Sequence, residues 1–165
     1  MTALRAVTLK RVRGTMSSAE EGSRIMDYKK YGDAYLVRLD IGDEIMESLT
    51  EICRKEKILV GSITGIGTTN HAKIGLLDTD TKVYYPIEYN EDLEITGING
   101  TVSEMNDETY LHIHISLAKK DHSVVGGHLD FAYVSAVAEI FIRPVDGKTD
   151  REFSETAGVN LLQLK

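Results

Sequence analysis

The chain has 165 residues and a mass of 18.3 kDa, one domain's worth of sequence and enough to bury a core. A hydrophobic fraction of 42% and a charged fraction of 27% match folded globular chains and fit badly with wholesale disorder, collagen-like repeats and membrane insertion. A net charge of −7, from 19 Lys+Arg against 26 Asp+Glu, has the wrong sign for coating nucleic acid by phosphate neutralisation, and leaves room only for a local basic patch.

Such a patch opens the chain. Arg5, Lys10, Arg11 and Arg13 stand in the first 13 residues without an acid, so residues 14–165 hold 15 Lys+Arg against 26 acids. The segment lacks the apolar run and cleavage site of a secretory signal, and no stretch reaches transmembrane length. Thr15 to Ser23 reads as a polar connector, which predicts an arm and connector over residues 1–22 and a single domain over 23–165. The plain reading of the arm is a solvated charge cluster; the sharper one is phosphate contact by its four basic side chains. Arg11-Val12-Arg13-Gly14 lacks the Gly-Arg-Pro core of an AT-hook. Cys53 is the only cysteine and cannot make an internal disulfide, which predicts a reducing compartment, the cytoplasm.

After Gly32, Tyr35 to Leu39 reads as a strand ending at Asp40-Ile41-Gly42-Asp43. A helix follows, with Asp43 expected as N-cap, Glu44 and Glu47 matching its positive start, and Arg54, Lys55 and Lys57 its end. Ile45, Leu49, Ile52 and Cys53 recur at i, i+4, i+7 and i+8, one apolar stripe for a core, so Cys53 is assigned to packing. From Ile58 the period changes to two. Strands are expected at Ile58 to Ile63, Asn70 to Leu77, Lys82 to Tyr85, Leu93 to Met105, Thr109 to Ala118, Ser123 to Leu129 and Phe131 to Ile142. Asp78-Thr79-Asp80 and Met105-Asn106-Asp107-Glu108 supply turns. One helix among many strands, with no βαβ alternation, predicts an α+β fold with a largely antiparallel sheet and the helix packed on it.

The segment richest in chemistry is Tyr110-Leu111-His112-Ile113-His114-Ile115-Ser116-Leu117-Ala118. Alternation sends Leu111, Ile113, Ile115 and Leu117 to one face and Tyr110, His112, His114 and Ser116 to the other. Two imidazoles roughly 6.5–7 Å apart at Cα can reach one metal ion through bonds of about 2.0–2.1 Å. His128 follows Gly126-Gly127 beyond a polar break; a three-residue hairpin loop would set it opposite His112 or His114 on the same face, whereas a two- or four-residue loop would turn it away unless a bulge at Gly126-Gly127 intervened. Three neutral imidazoles suit zinc, with Fe, Ni or Cu as alternatives, and leave a fourth position for water or a guest. Against this, histidines are ordinary residents of the polar face of an amphipathic strand. His71 and His122 are expected at a turn or strand edge. Ser116 or Tyr110 would orient the bound rings.

Glu139 interrupts the apolar run Val137 to Phe141 and is read as solvent-facing or, alternatively, as a general base beside a metal-activated water. Gly65-Ile66-Gly67-Thr68-Thr69-Asn70 lacks the third glycine and following helix of a dinucleotide loop and is expected to form a tight turn between strands. No phosphate loop and no Gly-x-Ser-x-Gly elbow is present.

The succession of Gly61-Ser62-Ile63-Thr64-Gly65-Ile66-Gly67, Leu93-Glu94-Ile95, Gly97-Ile98-Asn99-Gly100-Thr101-Val102, His112-Ile113-His114-Ile115-Ser116-Leu117-Ala118 and Gly126-Gly127-His128-Leu129 resembles the PPC domain, a plant-and-prokaryote conserved module, over Tyr28 to Pro144. The resemblance implies an α+β homotrimer in which His112, His114 and His128 hold a metal, typically zinc. It also implies a link to DNA, since plant members pair the domain with AT-hooks and stand-alone prokaryotic members are described as DNA-binding. The missing AT-hook and the acidic body depart from the plant pattern. The expectation is therefore a trimeric, zinc-binding regulatory module for DNA or a small ligand at the open metal position, with a zinc-dependent hydrolase as alternative.

Overall fold

The structure, a computed structural model, describes residues 27–164. The expected arm, with Arg5, Lys10, Arg11 and Arg13, lies outside the described residues. The order of elements is β1 (Asp27–Tyr31), β2 (Ala34–Asp40), α1 (Ile45–Lys55), β3 (Gly61–Leu77), β4 (Tyr84–Tyr89), β5 (Leu93–Met105), β6 (Glu108–Ala118), β7 (Val124–Pro144), β8 (Arg151–Ser154) and β9 (Val159–Leu162).

The main sheet runs β1-β2-β7-β6-β5-β3-β4, and β7 also pairs with β3, so that β3, β5, β6 and β7 close into a ring. All of these pairings are antiparallel. Alternation gives each ring strand an apolar inner face. Ile63, Ile98, Ile113, Ile115, Leu117, Leu129, Ile140 and Ile142 are almost wholly buried there. The stripe Ile45, Leu49, Ile52 and Cys53 joins the same core as α1 packs on β6 and β7. Burial pushes the Cys53 thiol up to about 12, consistent with a packing role.

The N-cap is Glu44 rather than Asp43. Glu44 is buried, and its carboxylate accepts from the backbone N–H groups of Met46 and Glu47 at 3.0 and 2.6 Å and from Ala132 of β7 at 3.0 Å. The Asp43 carboxylate instead accepts from Asp40 N, closing the preceding turn. At the far end Lys57 is left-handed (φ 55°), while Ile58 N–H bonds Cys53 O and Lys57 N–H bonds Arg54 O, a Schellman stop with Ile58 buried beneath it.

The turn expected at Gly65 to Asn70 does not form, because β3 runs straight through it with a bulge between Gly65 and Gly67. The glycines serve close approach. A Cβ on Gly67 would lie 2.7 Å from Val137 O and Ala138 Cα, and one on Gly65 2.8 Å from the Ile140 side chain. β3 can therefore pair β5 along one edge and β7 along the other. Likewise Ser123 to Leu129 and Phe131 to Ile142 merge into β7, and the strand expected at Lys82 begins at Tyr84. The turn at Asn106-Asp107 has φ of 55° and 62°, the two-residue type that suits strand twist. No helix among the described residues is long and apolar enough to cross a membrane.

Candidate metal centre

The β6–β7 hairpin sets the register of the histidines. Lys119 and Ser123 bond across a loop of Lys120, Asp121 and His122, with His122 in the left-handed region (φ 64°). Pairing continues without a bulge to His114 opposite His128. On the other edge of β6, Asn99 lies opposite His114 and Thr101 opposite His112. All these residues share the outer face.

The three rings meet there. His112 Nε2 and His114 Nε2 lie 3.3 Å apart, and the ring centroids of His112, His114 and His128 are separated by 5.1, 5.2 and 5.7 Å. One ligating nitrogen from each falls within 4.8 Å of the others. Ligands of a tetrahedral zinc with bonds of about 2.0–2.1 Å stand roughly 3.3 Å apart, so the donor set fits such an ion with small ring rotations. Burial, then the neighbouring His128, Arg151 and His114, lowers the His112 imidazole to about 4; burial and His114 also lower His128. Both rings are therefore neutral at pH 7, the state in which imidazole offers a lone pair.

Two walls flank the rings. On one side the Tyr84 phenol donates to Asp130 Oδ1 at 2.6 Å, its ring lying edge-on to His128 at 6.3 Å and over Gly75, where it occupies the space a Cβ would need. On the other side the β8–β9 hairpin covers the end of β5. There Arg151 donates to Ser103 Oγ at 2.8 Å, Asn160 O at 2.8 Å and Thr101 Oγ1 at 3.3 Å, and lies over the Tyr110 ring at 4.8 Å. Sequence reading missed Arg151, because nothing local marks it.

Other expected participants stand elsewhere. Glu139 is exposed and pairs across from Ile66 and Arg38, eleven residues beyond His128 along β7 and past the stretch that pairs with β6. It lines an open groove of about 720 Å³ with Leu36, Thr64, Ile66, Asn99 and Phe141, not the histidine cluster. Tyr110 does not orient an imidazole, since its hydroxyl takes a bond from Asn160 Nδ2 and its face takes Arg151. Ser116 pairs across from Gly126 and Gly97, beyond His114. His71 is not at a turn: it lies within β3, stacked on Tyr133, edge-on to Phe131 and bonded to Glu88 at 2.6 Å.

Fold and site together define an antiparallel α+β domain with a three-histidine cluster on the outer face of a closed strand ring. The chain belongs to the Plants and Prokaryotes Conserved (PCC) domain family, whose domain matches residues 26–146. Its fold is that of a "putative DNA-binding protein" from Bacteroides thetaiotaomicron, 31% identical over 85% of this chain and 98% of that one, with a TM-score of 0.82. A metal-containing protein from Archaeoglobus fulgidus is 33% identical over 86% of this chain and 99% of that one, TM-score 0.76. A plant- and prokaryote-conserved protein from Pyrococcus horikoshii is 31% identical over 86% and 96%, TM-score 0.74. No curated protein matches the sequence.

Proposed function

We propose that this chain is a metal-binding member of its family in which His112, His114 and His128 hold one zinc ion, or another transition metal, and that it acts as a homotrimeric cytoplasmic module whose open metal position receives a small ligand. The observation that carries this reading is the gathering of three imidazole nitrogens within 4.8 Å on the outer face of β6 and β7. The metal-containing relative supports it. Zinc held by three neutral rings keeps its full charge and would supply Lewis acidity toward an incoming donor.

Binding is favoured over hydrolysis. Glu139, the acid weighed for moving a proton, lies eleven residues beyond His128 along β7, where the strand pairs with Arg38 and Ile66 rather than with β6. Asp130, whose charge reaches His128, already accepts from Tyr84 and pairs with Lys73 at 3.5 Å. Burial thus keeps His112 and His128 neutral, and among the described residues no dedicated base faces the three rings.

DNA association is the second reading, supported by the description of the Bacteroides relative and by the acid-free arm. With the body acidic, contact would run through Arg5, Lys10, Arg11 and Arg13. Affinity should then fall steeply with salt and vanish on deleting residues 1–13.

The metal reading is tested by elemental analysis of protein purified without chelators. About one transition metal per chain is expected, lost in His112→Ala, His114→Ala and His128→Ala and kept in His122→Ala. Absence of metal together with no zinc uptake overturns it.

A further inference from the structure

A buried charge without a counter-charge lies beside the histidines. Arg151 is 8% exposed, yet among the described residues no carboxylate pairs with it. Its partners are neutral: two hydroxyls, one carbonyl and the face of Tyr110. A guanidinium withdrawn from water without a counter-charge is costly, and the hydrogen bonds offset only part of that cost. Three of its five N–H donors are engaged, which leaves two.

Its position gives the unbalanced charge a use. The Nη2 of Arg151 is anchored on Thr101, and Thr101 lies directly across from His112 on the outer face, where opposed side chains stand about 5 Å apart. Three neutral imidazoles contribute no negative charge, so a divalent ion among them and the guanidinium beside it would concentrate positive charge on a molecule that is otherwise acidic. Tyr84 closes the opposite side, and the exposed His114 leaves the way in.

We infer that the space between Arg151 and the three histidines receives the oxyanionic group of a small molecule, a carboxylate or a phosphate, which faces the metal position with one oxygen and the remaining N–H donors of Arg151 with another. Planar N–H donors beside a cation match a two-oxygen anion, and such charge-assisted bonds are the stronger kind. This assignment names the ligand class of the centre proposed above and rests on that reading.

The test uses the full chain loaded with cobalt(II), whose visible absorption responds to a change of coordination. Acetate and inorganic phosphate are titrated separately at fixed ionic strength into wild type, Arg151→Gln and Arg151→Lys, with cobalt per chain measured in each sample. The expected result is a saturable spectral change with at least one anion, the tighter of the two assigning carboxylate or phosphate. Arg151→Gln should weaken it by about tenfold or more at unchanged cobalt content. Arg151→Lys, which keeps the charge and loses the fork, should weaken it less and serves alone if the glutamine variant does not fold. A role confined to pinning β8–β9 would lower the melting temperature of the variants and leave anion affinity untouched. Equal anion affinity in a cobalt-loaded variant, or no saturable response in cobalt-loaded wild type, overturns this inference alone. Failure of wild type to take up cobalt or zinc removes the ground of both readings.

Discussion

Glu44 joins the helix to the strand that carries His128, and its removal has a calculable cost. Its Oε1 accepts from Met46 and Ala132 and its Oε2 from Glu47, all backbone donors at the helix start or within β7. In Glu44→Ala the lost cap costs about 1 kcal/mol. The Ala132 N–H, on a residue with no exposed surface, is left stranded at about 1–3 kcal/mol more. The sum is about 2–4 kcal/mol, or a fall in melting temperature of roughly 4–16 °C for a chain of this size. Glu44→Gln keeps one acceptor oxygen for Met46 and Ala132 and loses only the bond to Glu47, about 1 kcal/mol. The assay is urea unfolding of metal-free protein followed by circular dichroism at a fixed chain concentration. If alanine and glutamine destabilise equally, the bond to Ala132 contributes nothing and the helix is held by its apolar stripe alone.

Gly67→Ala should destabilise by about 1–3 kcal/mol, because its Cβ meets backbone atoms of β7 that cannot step aside; a urea midpoint unchanged from wild type would contradict the close approach of β3 and β7. Metal-free protein should lose stability as pH falls. Below about 6.5 the unfolded chain protonates His112 while the folded chain, held to about 4, does not, so the unfolded state binds more protons through that window. The loss is on the order of 1–2 kcal/mol after screening of a half-buried ring, and should shrink in His112→Gln; identical pH slopes for the two proteins would refute the assignment. Cys53 should resist iodoacetamide at pH 8 in the native protein and react at once in urea, as mass spectrometry would show; rapid native labelling would deny its burial.

The parts of this fold that sequence reveals are those with a local period. The helix stripe, the alternating faces of β5 and β6 and the Asn106-Asp107 turn each carry their own signature, whereas the sequence leaves the hairpin loop length open and the structure's three-residue loop brings His128 opposite His114. What depends on a distant partner stays hidden. Glu44 outranks Asp43 as a cap because it also serves Ala132, 88 residues on. Gly65 and Gly67 signal a turn locally, yet their demand comes from β7 pressing on β3. Asp130 reads as a break because its partners Tyr84 and Lys73 arrive from other strands. Arg151 lies on a four-residue strand too short to show a pattern, and its meaning appears only where Ser103, Thr101 and Tyr110 surround it.

Among the described residues the sheet ends in two open borders, and both discourage fibre growth. β1, with the sequence Asp-Tyr-Lys-Lys-Tyr, lines its border with charge, and β4 places Pro86 at its middle, withholding a donor from any strand that would add there. Copies of this chain are thereby steered away from runaway strand-by-strand stacking.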